Sequence, residues 1–200
     1  TGIMAASELL KDRIEGDREA LDYHKLITVS AQKASELVQR LLTFARKRKL
    51  DANPVNIHES IESAIALLKR SIDKKIKISQ NLDASRSIVI GDDGQLQSVF
   101  INLGINAAHA MSDGGELVFS AHLVEYDENY CKASSFDLEP GSYIEIEVRD
   151  TGVGISQYDI GRIFEPFFTT KEVGMGTGLG LSAVYGAIQQ HHGSIRVCSE

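Results

Sequence analysis

The 200-residue sequence contains no tryptophan, three prolines and two cysteines. Cys131 and Cys198 lie far apart and match no metal-ligand spacing, which favours a reducing, intracellular setting over a disulfide. No apolar run reaches the roughly 18 residues that a membrane-spanning helix needs, and no signal peptide is visible. We therefore expect a cytoplasmic, soluble piece of protein that makes no membrane contact itself, whether or not its parent protein is anchored in a membrane.

Basic residues are also too few to balance the acidic ones, and the net charge is −7. That balance argues against a general nucleic-acid-binding surface, because bulk electrostatics would repel a polyanion. A bound polyphosphate would have to be held by backbone amides, a metal ion and a few local cations. The hydrophobic content of 42% and the charged content of 24% are those of a folded domain with an appendage.

The N-terminal quarter has a helical pattern. From Leu21 to Lys49 there is no Gly or Pro, and apolar residues recur at steps of four and three: Ile27, Ala31, Ala34, Val38, Leu41 and Ala45. Ile3, Ala6 and Leu10 share this spacing, and the charged stretch Asp12–Glu19 predicts a reversal between two antiparallel helices. We expect a helical hairpin over residues 1–50. It either forms half of a dimeric four-helix bundle or packs on its own chain.

A second domain is expected over residues 51–200, because Asn53-Pro54 breaks the helical pattern. The predicted helices cover Ile57–Ser71, Asp93–Met111 and Thr177–His191. The predicted strands cover Ile76–Ile78, Ile88–Ile90, Glu116–Glu125, Tyr143–Arg149 and Ser194–Val197, and the polar segment Asp127–Gly141 would connect a hairpin. This is an α+β fold, an α/β sandwich in which helices stack on one face of a mixed, mostly antiparallel sheet and the other face is exposed.

No Asp, Glu, Lys or Arg lies between Gln95 and Ser112, which is unusual for a helix of a soluble protein and predicts burial. On a 3.6-residue wheel, one narrow stripe holds the polar side chains: Gln95, Ser98, Asn102, Asn106 and His109. For a single Asn, a hydrogen bond to backbone within the core is the simpler explanation. Two Asn at a spacing of four, with His109 nearby, favour Mg²⁺ ligation by amide oxygens and a phosphate contact by His109.

Two glycine-rich turns lie in the C-terminal third. Asp150 ends an alternating strand and precedes Gly152 and Gly154. Such turns are common without any function, but a carboxylate placed there would accept a hydrogen bond from an exocyclic amine such as that of adenine. Gly176, Gly178 and Gly180 alternate just before an apolar helix. This second arrangement is typical of phosphate capture by backbone N–H groups at a helix N-terminus, although a flexible linker can have the same composition.

The segment between the two turns, Phe164–Met175, is predicted to form a lid over the nucleotide. Thr169, Thr170 and Lys171 would supply hydroxyl groups and a cation. Phe164, Phe167 and Phe168 are expected to anchor the lid, although buried aromatic side chains are equally common in an ordinary core.

Three histidines are given no chemical role. His191 and His192, beside Gly193, are expected to cap the C-terminus of a helix, where the helix dipole favours them. His24 lies among charged neighbours near the start of the second helix, and we expect it to be a solvated surface residue.

The ordered motifs resemble the N, G1, F and G2 boxes of the sensor histidine kinases of two-component systems: Asn102-x-x-x-Asn106-Ala107, Asp150-x-Gly152-x-Gly154, Phe164-x-Pro166-Phe167 and Gly176-x-Gly178-x-Gly180-Leu181. The resemblance covers about three quarters of the chain as the catalytic ATP-binding domain, and the N-terminal hairpin is similar to the family's dimerisation and phosphotransfer module. It implies the Bergerat ATP-binding fold.

The resemblance also implies a role for individual residues. Asn106 would be a Mg²⁺ ligand with Asn102 as its helper, His109 a basic phosphate contact, and Asp150 the acceptor of the adenine amine. The remaining contacts to ATP would come from the glycine boxes and the lid: Gly152, Gly154, Phe167, Thr170, Lys171, Gly176, Thr177, Gly178, Leu179 and Gly180.

The family's phosphoacceptor histidine lies in the first hairpin helix, and Thr1–Leu10 resembles the part of that helix just after it. The acceptor is therefore expected upstream of Thr1, and a final strand of the family beyond Glu200. The implied activity is transfer of the γ-phosphoryl of ATP to that histidine, and onward to an aspartate of a response-regulator receiver domain. The expected partners are that receiver domain and a second copy of the chain.

Two other functions fit part of the pattern. An ATP-hydrolysing clamp of the gyrase, Hsp90 or MutL type has a similar fold but carries a glutamate where Asn102 stands. A general base contributes roughly 10² to 10⁴ in rate, so an amide at that position argues against activation of water. A catalytically silent nucleotide-binding scaffold is the other alternative, and the intact glycine boxes count against it.

Overall fold

The computed structural model describes residues 2–11, 13, 14, 16–45, 52–134, 136, 138–171 and 176–199, apart from the side chains of residues 3, 4 and 33–45. The chain divides into two compact units, Thr1–Lys47 and Arg48–Glu200. In these described ranges, no helix combines the length and the apolar character needed to cross a membrane.

The first unit is a helical hairpin of α1 (Gly2–Lys11) and α2 (Arg18–Ala45). Gly16, with a φ of 134°, lies in the turn between them. Asp17 caps α2, because its carboxylate accepts hydrogen bonds from the backbone N–H groups of Glu19 and Ala20, each at 3.1 Å. The predicted hairpin is therefore present, and the last predicted turn of its second helix lies outside the described residues.

A small polar cluster is buried between α1 and α2. The His24 Nε2–H group donates to the carbonyl oxygen of Ser7 at 2.9 Å, and Oγ of Ser7 lies 2.9 Å from Oγ1 of Thr28. His24 is only 8% exposed, so the prediction of a solvated surface residue is wrong. The physical reason is that the ring faces α1, whereas the charged neighbours Asp22 and Lys25 occupy the exposed side of α2.

Large apolar side chains of the hairpin stay exposed within one chain. Leu9 is 73% exposed, Leu26 65% and Val29 51%. Ile27, a member of the predicted heptad seam, is 47% exposed. The side chains of the later seam residues Ala34, Val38, Leu41 and Ala45 lie outside the described residues.

The second unit contains two sheets and the helices that cover them. Its elements are, in chain order, β1 (Asn53–Asn56), α3 (Ile57–Ser71), β2 (Ile76–Leu82), β3 (Ile88–Gly91), α4 (Asp93–Ala110), β4 (Gly115–Tyr126), α5 (Glu128–Ala133), β5 (Gly141–Asp150), α6 (Gln157–Ile160) and α7 (Gly180–Gln190). Strand β4 lies between β2, to which it is parallel, and β5, to which it is antiparallel. Strands β1 and β3 form a separate antiparallel pair. The predicted mixed, mostly antiparallel sheet and α/β sandwich are confirmed.

The core lies between the sheet and helices α3 and α4. Its largest fully buried side chains come from α3, α4, β4 and α7: Ile57, Ile61, Leu68, Phe100, Leu117, Phe119 and Val184. Glu145, Glu147 and Arg149 of β5 are exposed, as their alternation with apolar residues predicts. The core therefore packs one side of α4 against the sheet. Another side of α4 faces α7.

Three segments differ from the sequence-based expectation. The Asn53-Pro54 pair begins β1, and Pro54 pairs with Ile90 in a two-stranded sheet, where a missing N–H group is tolerated. Ser194–Val197 is not a strand, although Ile195 packs against the core. The polar connection between β4 and β5 contains α5, which Asp127 caps by accepting the N–H of Tyr130 at 2.7 Å.

Candidate functional site

Asn102 and Asn106 of the polar α4 stripe lie against the start of α7, and the stripe is not part of the core. Asp92 caps the helix by accepting the N–H of Gln95 at 3.0 Å, and the opposite face is buried through Leu96, Val99, Phe100, Gly104 and Ala107. Asn102 and Asn106 are half-buried, and His109 is exposed. The predicted burial therefore holds for the core-facing side of α4 and not for the whole polar stripe, on which Ser98 and His109 are exposed.

Gly180, the first residue of α7, lies against both asparagines. A methyl group on its Cα would be 3.5 Å from Nδ2 of Asn106 and 3.9 Å from Oδ1 of Asn102. Among the described residues, no side chain caps α7 at Leu179. The first N–H groups of a helix lack partners inside the helix, and the helix dipole makes that end positive. The two carboxamides thus face a helix end that is suited to an anion.

The first glycine turn is held against the C-terminal end of α4. The N–H of Val153 donates to the carbonyl oxygen of Ala110 at 3.1 Å, and Oδ1 of Asp150 accepts the N–H of Gly152 at 2.9 Å. A Cβ atom on Gly152 would lie 2.6 Å from Cβ of Ala110, so no other residue fits there without a shift. The exposed Asp150 carboxylate is thereby fixed one helical turn beyond Asn106.

The second glycine turn is joined to the lid through the backbone. The N–H of Phe167 donates to the carbonyl oxygen of Gly178 at 2.9 Å. Gly178 has a φ of 64°, and a Cβ atom there would lie 2.3 Å from the carbonyl carbon of Phe167. Only glycine meets both demands, the left-handed conformation and the close backbone approach.

The aromatic residues of the lid divide into two kinds. Phe164 packs on Tyr185 of α7 with a ring-centroid distance of 5.4 Å, and the guanidinium of Arg162 lies 4.5 Å from the centre of the Phe168 ring. Phe167 is 57% exposed, so its prediction as an anchor is wrong. Its backbone has a φ of 69° and holds Gly178, which leaves the ring in solvent.

The polar residues of the lid face the end of α4. Nζ of Lys171 donates to Nδ1 of His109 at 2.8 Å, and the N–H of Lys171 donates to Oγ1 of Thr169 at 3.2 Å. Gly176 lies beside this group, because a Cβ atom there would be 2.7 Å from Oγ1 of Thr169. Thr170 and Thr177 are exposed and Leu179 is buried. The rest of the predicted lid, residues 172–175, lies outside the described residues.

Burial and charge change the pKa values of His109 and Lys171. Partial burial, and then the positive charge of Lys171, lower the pKa of His109 from its ordinary value of 6.5. Burial also lowers the pKa of Lys171 from 10.5. A neutral His109 therefore accepts the hydrogen bond from the ammonium group. Among the described residues, no carboxylate forms an ion pair with Lys171, so its charge is available to an anion beside α4.

The donor set fits a metal only together with phosphate. In the described part of the chain, no group of three or more His, Cys, Asp or Glu side chains could hold a metal ion. The amide oxygens of Asn102 and Asn106 are hard, neutral ligands. Mg²⁺ accepts such ligands while keeping water and phosphate oxygens as its other ligands. The residues present therefore fit a magnesium–phosphate group.

Cavity volume alone does not locate this site. One cleft of about 460 Å³ lies at the N-termini of α3 and α4, lined by Asn56 and Asp93 among others. Another of about 460 Å³ lies beside α5, lined by Tyr130 and Arg196. Neither includes a residue of the motifs; the surface that those residues share along α4 and the start of α7 is named the groove.

Two residues that shape the candidate site, Ala110 and Thr151, were not predicted from the sequence. Ala110 holds the first glycine turn through its carbonyl oxygen and its small side chain. Thr151 accepts the N–H of Glu116 at 3.0 Å through Oγ1 and so ties the same turn to β4. For Ala110, the sequence signal for a contact with the glycine turn was a small residue at the end of the uncharged helix. For Thr151, the signal was only its position inside the first glycine motif.

The sequence matches the family described as histidine kinase-, DNA gyrase B- and HSP90-like ATPases over residues 91–200. It is 37% identical over 202 residues to the sensor kinase CckA of Brucella abortus (strain 2308), covering 100% of this chain and 21% of that protein. It is 32% identical over 201 residues to the sensory histidine kinase/phosphatase NtrB of Rhizobium meliloti (strain 1021), covering 99% and 50%. The chain thus spans only a part of the curated relatives that it matches.

The fold is also similar to that of histidine kinase ThkA in a crystal structure with the response regulator TrrA, with a TM-score of 0.62 at 24% identity, over 96% of this chain and 52% of that one. The predicted resemblance to sensor histidine kinases is confirmed by these relatives. The matched region, residues 91–200, contains the asparagine stripe, both glycine turns and the lid. Because this region is more than half of the sequence and carries every motif of the site, the chain belongs to the family of histidine kinase-, DNA gyrase B- and HSP90-like ATPases.

Proposed function

We propose that this chain is the ATP-binding and dimerisation part of a two-component sensor histidine kinase. The observation that carries the proposal is the meeting of Asn102 and Asn106 with the uncapped N-terminus of α7 at Gly180. Two neutral oxygen ligands and a phosphate-binding helix end lie side by side. ATP would lie along α4, with its phosphates at this junction and its base at Asp150.

The base would be recognised by the first glycine turn. One carboxylate oxygen of Asp150 accepts the N–H of Gly152, which fixes the side chain and leaves the second oxygen to accept the adenine amine. The glycines at Gly152 and Gly154 let the base lie against the backbone. Asp150 is exposed in this structure, and a bound base would cover it.

The phosphates would be held from two sides. The N–H groups at the start of α7, from Gly178 to Gly180, would donate to phosphate oxygens, with hydroxyl groups from Thr170 and Thr177 nearby. Lys171 and His109 would contact the terminal phosphate at the end of α4, where their mutual hydrogen bond now holds them together. Asn106, assisted by Asn102, would ligate Mg²⁺, which neutralises and orients the phosphates when it is bound.

Phosphoryl transfer suits this set of residues better than hydrolysis does. Transfer to a protein acceptor requires positioning and charge neutralisation, and little covalent chemistry from the enzyme. A carboxamide such as that of Asn102 does not take up a proton, so it is no general base for water. We therefore propose that the γ-phosphoryl goes to a histidine, placed upstream of Thr1, and from there to an aspartate of a receiver domain.

Two partners belong to the proposal. The crystal structure of ThkA with TrrA supports a response regulator as the partner that receives the phosphoryl group. A second copy of the chain would cover exposed apolar side chains of the hairpin, among them Ile27 of the predicted seam. The hairpin would then be half of a four-helix bundle.

The decisive experiment is a phosphorylation assay on the chain extended at its N-terminus. With γ-labelled ATP and Mg²⁺, we expect the protein to acquire a label that is labile to acid and stable to alkali, as a phosphohistidine is. Asn106→Ala should remove the label and weaken Mg²⁺-dependent ATP binding at least tenfold, or about 1.4 kcal/mol. Ser98→Ala, an exposed change on the same stripe, is the matched control and should leave both unchanged.

The same assay separates the alternatives. Release of inorganic phosphate without labelled protein would contradict the kinase and favour an ATP-hydrolysing clamp. Binding of ATP with neither label nor released phosphate would favour a silent scaffold. Unchanged Mg²⁺-dependent affinity in Asn106→Ala would show that the metal assignment is wrong.

A further inference from the structure

His191 joins the end of α7 to the beginning of α4. The backbone N–H of Asp92, the N-cap residue of α4, donates to Nε2 of His191 at 3.0 Å. Nδ1 of the same ring lies 2.7 Å from the carbonyl oxygen of Ala187. A carbonyl can only accept, so Nδ1 carries the proton, and Nε2 is free to accept. The ring is therefore neutral and makes both contacts at once.

The ring also fills a space that Gly91 leaves open. A Cβ atom on Gly91 would lie 2.5 Å from Cδ2 of His191 and 2.7 Å from its Nε2. Gly91 is buried at the junction between β3 and α4. Packing and hydrogen bonding thus place the imidazole at one defined point against the start of α4.

The other end of α7 is the phosphate-binding end. Gly180 lies beside Asn102 and Asn106, while His191 lies beside Asp92, so α7 and α4 run antiparallel along each other. At 1.5 Å per residue, α7 is roughly 16 Å long, and Asp92 lies roughly 15 to 21 Å along α4 from the two asparagines. The lengths match. A contact at His191 therefore sets how far α7 reaches along α4, and with it the position of its first N–H groups.

We propose that His191 is a positioning residue of the nucleotide site. By holding the C-terminal end of α7 to the N-cap of α4, it fixes the register of the two helices, so that the N–H groups near Gly180 face the asparagine carboxamides. The inference rests on the proposed role of this site in ATP binding. It gives a function to a histidine that the sequence analysis treated only as a helix cap.

The test compares two substitutions of His191: the amide of Asn can replace Nδ1 of the ring, and the amide of Gln can replace Nε2. Asn in place of His191 can still donate to the Ala187 carbonyl but is too short to reach the Asp92 N–H, whereas Gln can reach it. We expect His191→Asn to raise the Kd for Mg²⁺–ATP about tenfold, and His191→Gln to restore it to within about twofold, by calorimetry. Hydrogen exchange of the Asp92 amide should speed up in the Asn variant only.

The neighbouring histidine supplies the control. His192 is exposed and has a φ of 56°, a conformation that Asn tolerates well, so His192→Asn should leave the affinity unchanged. If the unmodified chain failed to bind ATP, the proposed function itself would be wrong. If it bound ATP and His191→Asn bound equally well, or if Asn and Gln lost affinity alike, the positioning role would be overturned.

A double-mutant cycle with Gly91 checks the contact independently. Gly91→Ala places a methyl group where the ring of His191 lies, so it should displace the ring and weaken ATP binding as His191→Asn does. In the His191→Asn background, the same change should cause little further loss, because the obstructing ring is gone. Additive losses would contradict the proposal, because they would show that Gly91 and His191 act independently.

Discussion

Asn102 and Asn106 bring oxygen ligands to the groove without adding negative charge. Their carboxamides add no negative charge beside the phosphates that we propose to bind there, and the chain already has a net charge of −7. The positive charge near the groove comes instead from Lys171, which is hydrogen-bonded to the neutral ring of His109. Two uncharged asparagines beside the cation Lys171 thus favour the binding of an anion, although the protein as a whole is acidic.

His109 should make the stability of the ATP-free chain depend on pH. Its pKa lies below 6.5 in the folded state because of burial and the charge of Lys171, so the unfolded state binds more protons at this residue. The resulting contribution to stability is complete above pH 6.5 and is lost as the pH falls from there through the folded pKa. Urea unfolding at a series of pH values should show this loss.

Replacing the ring is the corresponding test. In His109→Gln the part of the pH dependence just below pH 6.5 should disappear, because Gln does not titrate. His192→Gln, which leaves the contact between His109 and Lys171 in place, is the control and should keep the loss of stability below pH 6.5. Identical curves for His109→Gln and the unmodified chain would contradict the assigned pKa.

At the scale of elements, the close contact between Phe167 and the turn before α7 requires a glycine at position 178. Gly178→Ala would place a methyl group against the carbonyl of Phe167 and force a residue with a side chain into a left-handed conformation. The conformation alone costs roughly 1 to 2 kcal/mol. We expect ATP binding to be lost, because the turn that we propose to bind phosphate must move, while the core between α3, α4 and the sheet stays folded. Calorimetry and thermal unfolding measure the two effects separately.

Gly161 offers a matched comparison in the segment before the lid. It has a φ of −68°, and a Cβ atom there would meet nothing within 4 Å. Gly161→Ala should therefore leave ATP binding unchanged and stabilise the chain by roughly 0.4 to 1 kcal/mol, through the lower entropy of the unfolded state. Equal effects of the two substitutions would show that the conformation of Gly178 does not matter.

Elements with strong local signals were predictable from the sequence. The periodicity of α3 and α4 and the alternation in β5 reflect burial on one face, and the structure has all three. The strand expected at Ser194–Val197 is absent, because alternation shows which side chains face inward and a strand also needs a neighbouring backbone to pair with. Strand β1 was missed for the converse reason: Asn53-Pro54 looks like a break, and only the pairing with β3 makes it a strand.

The site was predictable to the extent that its residues lie in local motifs. Glycine spacing pointed to both turns, and the two asparagines pointed to α4. The contact between His191 and Asp92 joins residues 99 positions apart, and no spacing along the sequence encodes such a contact. The burial of His24 against α1 was missed for the same reason, since its local neighbours are charged and its partner Ser7 is 17 positions away.

At the scale of the whole molecule, we expect the hairpin to pair with a second copy of the chain. The contact between α1 and α2 contains the polar cluster of Ser7, His24 and Thr28. The large apolar side chains lie on the outside instead, with Leu9 at 73% and Leu26 at 65% exposure. Covering such a surface is favourable by about 25 cal/mol per Å² of apolar area, so we expect a dimer at micromolar concentration in sedimentation experiments.

Ile27→Lys tests which surface forms that dimer. Ile27 is 47% exposed and belongs to the predicted seam, so a charge there should cost little within one chain and should oppose pairing with a second. Lysine is also a better helix former than isoleucine, so helix content measured by circular dichroism should not fall. We expect the variant to sediment as a monomer, while Lys25→Gln, an exposed change on the same helix, stays dimeric. A monomeric unmodified chain, or a dimeric Ile27→Lys, would contradict a bundle formed through this seam, because neither fits an association driven by its apolar side chains.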